Sequence, residues 1–129
     1  MRDSIAQPEA GADAVLSERA VIGALLTDFD KVLPVVQTAG ITSTSFTDSD
    51  CIRTWEVMAR LRAGKPGIVE PVAVAESWGG DAGDVMEVHL KPLMESCQTI
   101  AFAPHYCQQV REAEQRRTLH AAARMAADA

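Results

Sequence analysis

A helix near the start of the chain is encoded by Ser17-Glu18-Arg19-Ala20-Val21-Ile22-Gly23-Ala24-Leu25-Leu26. The large apolar side chains of this stretch recur at spacings that place them on one face of an α-helix. Ser17 is a residue type that caps helix N-termini, and the carboxylate of Glu18 would stabilise the positive end of the helix. Gly23 and Ala24 are small enough to let another helix approach closely. The stretch therefore predicts a helix that packs tightly against its neighbours.

A long helix is predicted at the other end of the chain, from Pro104 to near Ala127. Proline is favoured at the first position of a helix, where its missing N–H is not needed for the intrahelical ladder. Residues at helical spacing form one stripe along this helix and then a weaker one. The first consists of Tyr106, Val110, Ala113 and Arg117, and the second of Leu119, Ala122 and Ala126. A small domain cannot cover all turns of so long a helix, and an isolated helix is marginal in water. We therefore expect the outer turns to pack against a partner molecule.

The charges of this C-terminal helix alternate in sign. Glu112 and Arg116 stand four residues apart, and Glu114 and Arg117 stand three apart. These spacings predict ion pairs along a solvated face of the helix.

Two shorter helices are predicted in the first half of the chain. The second helix spans about 31–38, with Pro34 in its first turn and Gly40 as its stop. The third follows a cluster of capping residues at 47–50 and ends at Gly64.

A fourth helix is predicted to begin at Pro71 and to end before the pair Gly79-Gly80. The segment 81–97 has an apolar pattern of helical type, but Pro92 interrupts it. Two alternatives are open there: a broken helix, which we favour, and a strand followed by a short helix.

The predicted fold is all-α: a compact bundle of about five short helices followed by a long projecting C-terminal helix. A disordered lead-in is predicted at 1–16, where no apolar period is present, then a bundle at 17–103 and the C-terminal helix at 104–129. The predicted core consists of Val21, Ile22, Leu25, Leu26, Phe46, Trp55, Met58 and Leu90.

Length and composition limit the class of protein. A chain of 129 residues is sufficient for one domain, and its net charge of −6 argues against a surface devoted to nucleic acid. Three cysteines without paired spacing predict reduced thiols. A secretion signal is missing and the longest apolar run is too short to span a bilayer. We therefore predict a soluble cytoplasmic protein.

The sequence lacks the motifs of common catalytic sites. No Gly-x-x-x-x-Gly-Lys-Ser/Thr loop is present, so the phosphate cradle of a P-loop ATPase is missing. Cys97, His105 and Cys107 do not have the four closely grouped ligands of a structural zinc site. His89 lies in an apolar pattern that favours a core or boundary position over a role as general base. We therefore predict a non-enzymatic protein without a metal ion or a cofactor.

Short segments spread over 17–119 form an ordered set. The set begins with Glu18-x-x-Val21-Ile22-Gly23-Ala24-Leu25-Leu26 and continues with Phe46, Trp55, Ala73-Val74-Ala75-Glu76, His89-Leu90, Leu93, Tyr106, Val110-Arg111-Glu112, Arg117 and Leu119. In order and spacing these segments resemble the N-terminal domain of bacterial replicative DNA helicases, the DnaB family. The opening segment is similar to that family's Glu-x-x-Val-Leu-Gly-x-Leu-Leu signature.

The chain also departs from the family pattern. Cys51-Ile52 stands where the family has a His-Arg pair, the run 66–70 replaces a Pro-x-Asp, and the run 100–104 replaces a Pro-Ser-Ala-Ala-Asn. The resemblance places 104–129 in the first helix of the family's helical hairpin, and the family's RecA-like ATPase domain has no counterpart here. We therefore expect a divergent member, which is either an excised domain or a free-standing derivative.

The resemblance implies a non-enzymatic module of DNA replication that oligomerises a helicase and docks primase or a loader, with weak or no direct binding to nucleic acid. We expect a homo-oligomer. The residues predicted to contact the partner are Val110, Arg111, Arg117, Leu119 and Ala123.

Two other functions are kept as alternatives. One is a free-standing regulator that binds a helicase and blocks it. The other is a small helical nucleic-acid binder that uses the arginines of the C-terminal helix, whose affinity would fall steeply with salt.

Overall fold

The computed structural model describes the backbone of residues 2–128 and the side chains of residues 13–128. The described residues form an all-α fold without β-strands, which confirms the predicted fold class. Within this range the α-helices are α1 (Arg2–Thr27), α2 (Phe29–Thr38), α3 (Ser49–Ala63), α4 (Pro71–Trp78), α5 (Ala82–Val85), α6 (Lys91–Ser96) and α7 (Ala103–Asp128). Short 3-10 turns lie at Ser43–Ser45 and Ile100–Phe102, and a π-helical turn, Met86–Leu90, joins α5 to α6.

The first helix is longer than predicted, because α1 begins at Arg2 and continues to Thr27. The prediction that Ser17 caps this helix is therefore wrong, and helix extends into the segment predicted as a disordered lead-in. Alanine has the highest helix propensity, which explains why a stretch without an apolar period can still be helical. The alanines concerned are Ala6, Ala10, Ala12 and Ala14.

The second half of α1 forms the centre of the core. It packs mainly against α6 and α7 and also contacts α2 and α3. The predicted core residues are buried, with one exception. Trp55 is only partly buried and packs at the edge of the core, where its ring lies 5.1 Å from that of Phe46.

Gly23 allows the close packing of α1 on α6. A Cβ atom at this position would lie 2.1 Å from the backbone oxygen of Leu93, far inside van der Waals contact. The prediction that Gly23 lets another helix approach closely is confirmed.

The second helix begins two residues earlier than predicted. Asp28 is its N-cap and accepts a hydrogen bond from the backbone N–H of Lys31. Pro34 consequently lies inside α2 and not in its first turn, which corrects the prediction. Gly40 follows the end of the helix with a φ of 80°, a left-handed conformation that glycine adopts without strain.

The third and fourth helices have the predicted signals at their ends. Asp48 caps α3 by accepting a hydrogen bond from the backbone N–H of Cys51, and Gly64 is its C-cap. Pro71 starts α4, and Gly79 follows its last residue.

The segment 81–97 forms a broken helix, which was the favoured alternative, and not a strand followed by a short helix. Asp81 caps α5, and the backbone then widens so that the N–H of Lys91 bonds to the carbonyl of Met86. This π turn places Pro92 at the start of α6, where its missing N–H is tolerated.

Candidate docking site on the C-terminal helix

The first half of α7 lies on the bundle. Its buried residues recur every three or four positions and so form one stripe: Ala103, Cys107, Val110 and Ala113. Three of the four are small, which lets α7 approach α1 closely. The structure therefore confirms the predicted stripe at Val110 and Ala113.

A hydrogen bond between the long helices adds to this apolar contact. The hydroxyl of Ser17 donates to Oε1 of Gln109 at 2.5 Å. Ser17 is buried, so its hydroxyl cannot hydrogen-bond to water, and Gln109 takes the place of that partner. The residue predicted to cap α1 thus joins α1 to α7.

The end of the covered half is held by Glu114. Its carboxylate accepts hydrogen bonds from the hydroxyls of Thr44 at 2.9 Å and Ser45 at 2.8 Å, and from Nη1 of Arg111 at 2.6 Å. Partial burial opposes ionisation of this carboxyl. The hydrogen bonds and the positive charge of Arg111 outweigh burial and lower the pKa of Glu114 below its ordinary value.

The charged pairs predicted for α7 differ from those observed. Glu114 pairs with Arg111 and not with Arg117. Arg117 instead donates a hydrogen bond to the backbone carbonyl of Ser45 at 3.4 Å, and Glu112 accepts one from Gln108. The 3-10 turn beside α7 supplies acceptors and donors that helical spacing alone could not reveal.

The second half of α7 leaves the bundle. Every residue from Thr118 to Asp128 is exposed, and the side chains of Leu119 and Met125 are each 73% exposed. A helix that is exposed on all sides has no tertiary packing to stabilise it. This projecting half is therefore the part of the described structure that most needs a partner.

The five predicted contact residues fall into three groups. Val110 is only 1% exposed and packs in the core. Its side chain is therefore not accessible to a partner, and Val110 is no longer a candidate for partner contact. Arg111 and Arg117 are partly buried: Arg111 pairs with Glu114 within α7, and Arg117 donates to the carbonyl of Ser45 in the 3-10 turn. Leu119 and Ala123 lie on the projecting half, and their role as contact residues stays a prediction.

Three exposed residues in the last turns of α7 were not among the predicted contacts. Met125 is as exposed as Leu119, and Arg116 and Arg124 are exposed cations. Neither arginine forms an ion pair with a side chain in the range 13–128. The sequence already indicated that these two arginines lack a nearby carboxylate on the helix, since no Asp or Glu lies between Glu114 and Asp128.

His89 makes polar and stacking contacts at the surface of the bundle. Its Nδ1 lies 2.9 Å from Oδ1 of Asp50, and its ring stacks on Trp78 with 5.0 Å between the ring centroids. Asp50 also lies 3.8 Å from the guanidinium of Arg19. These contacts tie the π turn to α3 and α4, and they fit the predicted boundary position of His89.

The cysteines have the properties of structural thiols. Burial raises the pKa of the Cys107 thiol to about 11, and burial together with the nearby carboxylate of Asp48 raises that of Cys51. Cys97 is only partly buried. Among the described residues, no group of three or more His, Cys, Asp or Glu side chains is arranged to hold a metal ion.

A small apolar cleft lies between α2 and α3 with Leu25 of α1 among its walls. Its volume is about 280 Å³, and its other lining residues are Phe29, Leu33, Gln37, Trp55, Met58, Ala59, Arg62 and Ala63. The guanidinium of Arg62 reaches across to Asp30 at 3.3 Å and lies over the ring of Phe29.

Across the described part of the chain, no helix combines the length and the apolar character that crossing a bilayer requires. No protein-family model matches this sequence, and no curated protein matches it either.

Proposed function

We propose that this chain is a non-enzymatic docking module of the replicative helicase type, which oligomerises and binds primase or a loader through the projecting half of α7. The observation that carries the proposal is the exposure of Thr118–Asp128 on all sides. Such a helix gains stability when a partner covers it, because isolated helices of this length are marginal in water. The ordered segments that resemble the helicase N-terminal domain supply the class of partner.

The anchoring of α7 supports the same role. Val110, Ser17 and Glu114 fix the first half of the helix on the bundle. The second half therefore projects in a direction that the fold sets in advance. A binding element presented on a rigid support loses less conformational freedom on association than a flexible tail would.

The test is a binding measurement with the cognate helicase, primase and loader of the source organism. Leu119→Gln combined with Met125→Gln removes the two large apolar side chains of the projecting half and keeps good helix formers. Ile52→Gln is the matched control, because Ile52 is an exposed apolar residue on a different helix.

We expect the intact chain to bind at least one of these proteins, the Leu119 and Met125 variant to bind it at least about tenfold more weakly, and the control to bind normally. Binding of none of the three proteins, together with a monomeric state in solution, would contradict the proposal.

A further inference from the structure

The C-terminal turns of α7 carry exposed arginines and the α4–α6 region carries exposed carboxylates. We infer that the C-terminal turns of α7 in one copy dock on the α4–α6 region of a second copy. This inference rests on the oligomerising role proposed above. Residues 115–128 are called the tail, and residues 68–97 the acidic surface.

The tail is a basic helix with exposed apolar side chains. It contains three arginines and one carboxylate, Asp128, which gives it a charge of +2. Arg116 and Arg124 are exposed, and so are Leu119 and Met125. The tail therefore offers charge and apolar contact together.

The acidic surface has the complementary properties. It holds six carboxylates and one lysine, a net charge of −5 with histidine neutral. All six carboxylates are exposed: Glu70, Glu76, Asp81, Asp84, Glu87 and Glu95. The lysine, Lys91, is already paired with Glu87 at 2.6 Å. Val72 and Val88, which are 56% and 61% exposed, lie among these charges.

The elements that carry the acidic surface are in contact with one another, and Arg53 and Arg60 of α3 bond to backbone carbonyls at the end of α4. α4 contacts both α5 and the π turn, and the π turn contacts α6. The carboxylates are therefore carried by elements that hold fixed positions relative to one another, and their potential adds up at a docking helix.

A second copy fits this pair of surfaces better than a tail-to-tail contact does. Two tails would bring Arg116 and Arg124 of both copies together with only Asp128 of each copy to balance them, whereas the acidic surface offers six exposed carboxylates. The tail of the same copy is exposed, so it does not cover the acidic surface of its own bundle. Tail-to-surface docking is heterologous: each copy contributes its tail to one interface and its acidic surface to another.

Charge reversal of both surfaces tests the inference. The tail variant carries Arg116→Glu and Arg124→Glu, and the surface variant carries Glu76→Lys and Glu95→Lys. The combined variant carries all four changes and keeps the net charge of −6. The matched control, Lys31→Glu with Lys65→Glu, changes charge as much as the tail variant does, at exposed cations outside the tail.

Self-association is measured by sedimentation equilibrium at low and at high salt. We expect the wild type to associate and salt to weaken it, because exposed charges are screened. The tail variant and the surface variant should each associate about tenfold more weakly than the wild type. The control should associate like the wild type, and the combined variant should regain association. All four changed side chains are exposed, so circular dichroism should show wild-type helix content.

Three results would overturn the inference. A surface variant that associates like the wild type would place the contact elsewhere, as would a combined variant that folds and stays monomeric. A wild-type chain that is monomeric at every concentration would remove self-docking altogether, while binding to helicase, primase or loader would still support the proposed function. If the combined variant does not fold, wild-type association that is insensitive to salt overturns the inference.

Discussion

The carboxylate of Glu18 accepts two hydrogen bonds from Thr47, one from the backbone N–H and one from the hydroxyl, each at 2.7 Å. A third comes from the backbone N–H of Asp48 at 2.9 Å. Glu18 is only 1% exposed, so these hydrogen bonds replace the ones that its side chain would make to water. The side chain belongs to the middle of α1, yet it satisfies the backbone that leads into α3.

Replacement of Glu18 by alanine should destabilise the fold strongly. The change leaves two backbone N–H groups and a hydroxyl without their acceptor in a buried place, which costs about 2–4 kcal/mol. Urea denaturation should show this loss in the free energy of unfolding. Glu76→Ala is the control, because Glu76 is exposed, and its effect should stay within about 0.5 kcal/mol. Equal losses in the two variants would contradict the role of Glu18.

Addition of a methyl group at Gly23 should also destabilise the protein. The Cβ atom would lie 2.1 Å from the carbonyl oxygen of Leu93, so α6 would have to move away from α1. Overpacking of this kind costs about 1–3 kcal/mol. The matched control is Gly64→Ala, whose Cβ would meet its nearest atom at 3.6 Å and whose φ is −82°. The free energies of unfolding of the two variants, measured in urea, should differ clearly.

The sequence predicted those parts of the fold that local signals determine. Asp48, a member of the predicted capping cluster at 47–50, acts through its side chain on the backbone three residues away. Gly40 and Gly23 act through their own backbone or size. Such effects depend little on the rest of the chain.

The parts that sequence could not predict depend on distant residues. Ser17 has the side chain of an N-cap, but in the fold it bonds to Gln109, which is 92 positions away. Glu114 has two arginines within helical reach, and the position of the 3-10 turn decides how each arginine is used. The candidate site has the same division: the length of the C-terminal helix predicted that its outer turns are uncovered, but only the packing shows that Val110 is buried.

The acid stability of the anchor at Glu114 should depend on its ionisation. Its pKa in the folded state is below the ordinary value of 4.5, so the ionised carboxylate stabilises the fold above about pH 4.5. This contribution is lost as the pH falls through the lower folded pKa. Glu114→Gln should therefore be less stable than the wild type near neutral pH, and the difference should shrink in acid. Urea midpoints over a pH series test this, with Glu112→Gln as the control, and a difference that does not change with pH would contradict it.

The three thiols should differ in their reactivity with iodoacetamide. Cys51 and Cys107 are buried and have raised pKa values, so little thiolate is present or accessible in the folded protein. Burial raises the pKa of Cys97 as well, but this thiol is partly exposed and should be alkylated first. Peptide mass spectrometry at successive times measures the order, and denatured protein is the control in which all three should react. Faster alkylation of Cys107 than of Cys97 would show that α7 separates readily from the bundle.

Substitutions in the two halves of α7 should affect different properties. Val110→Ala removes two methyl groups from a buried site and should cost about 2 kcal/mol of unfolding free energy. Leu119→Ala removes more apolar surface, but from an exposed position, so the stability of the monomer should change by less than about 0.5 kcal/mol. Thermal and urea denaturation at concentrations too low for association separate the two effects. A large loss from Leu119→Ala under those conditions would mean that the bundle itself uses the projecting half, and then no partner would be needed to explain its length.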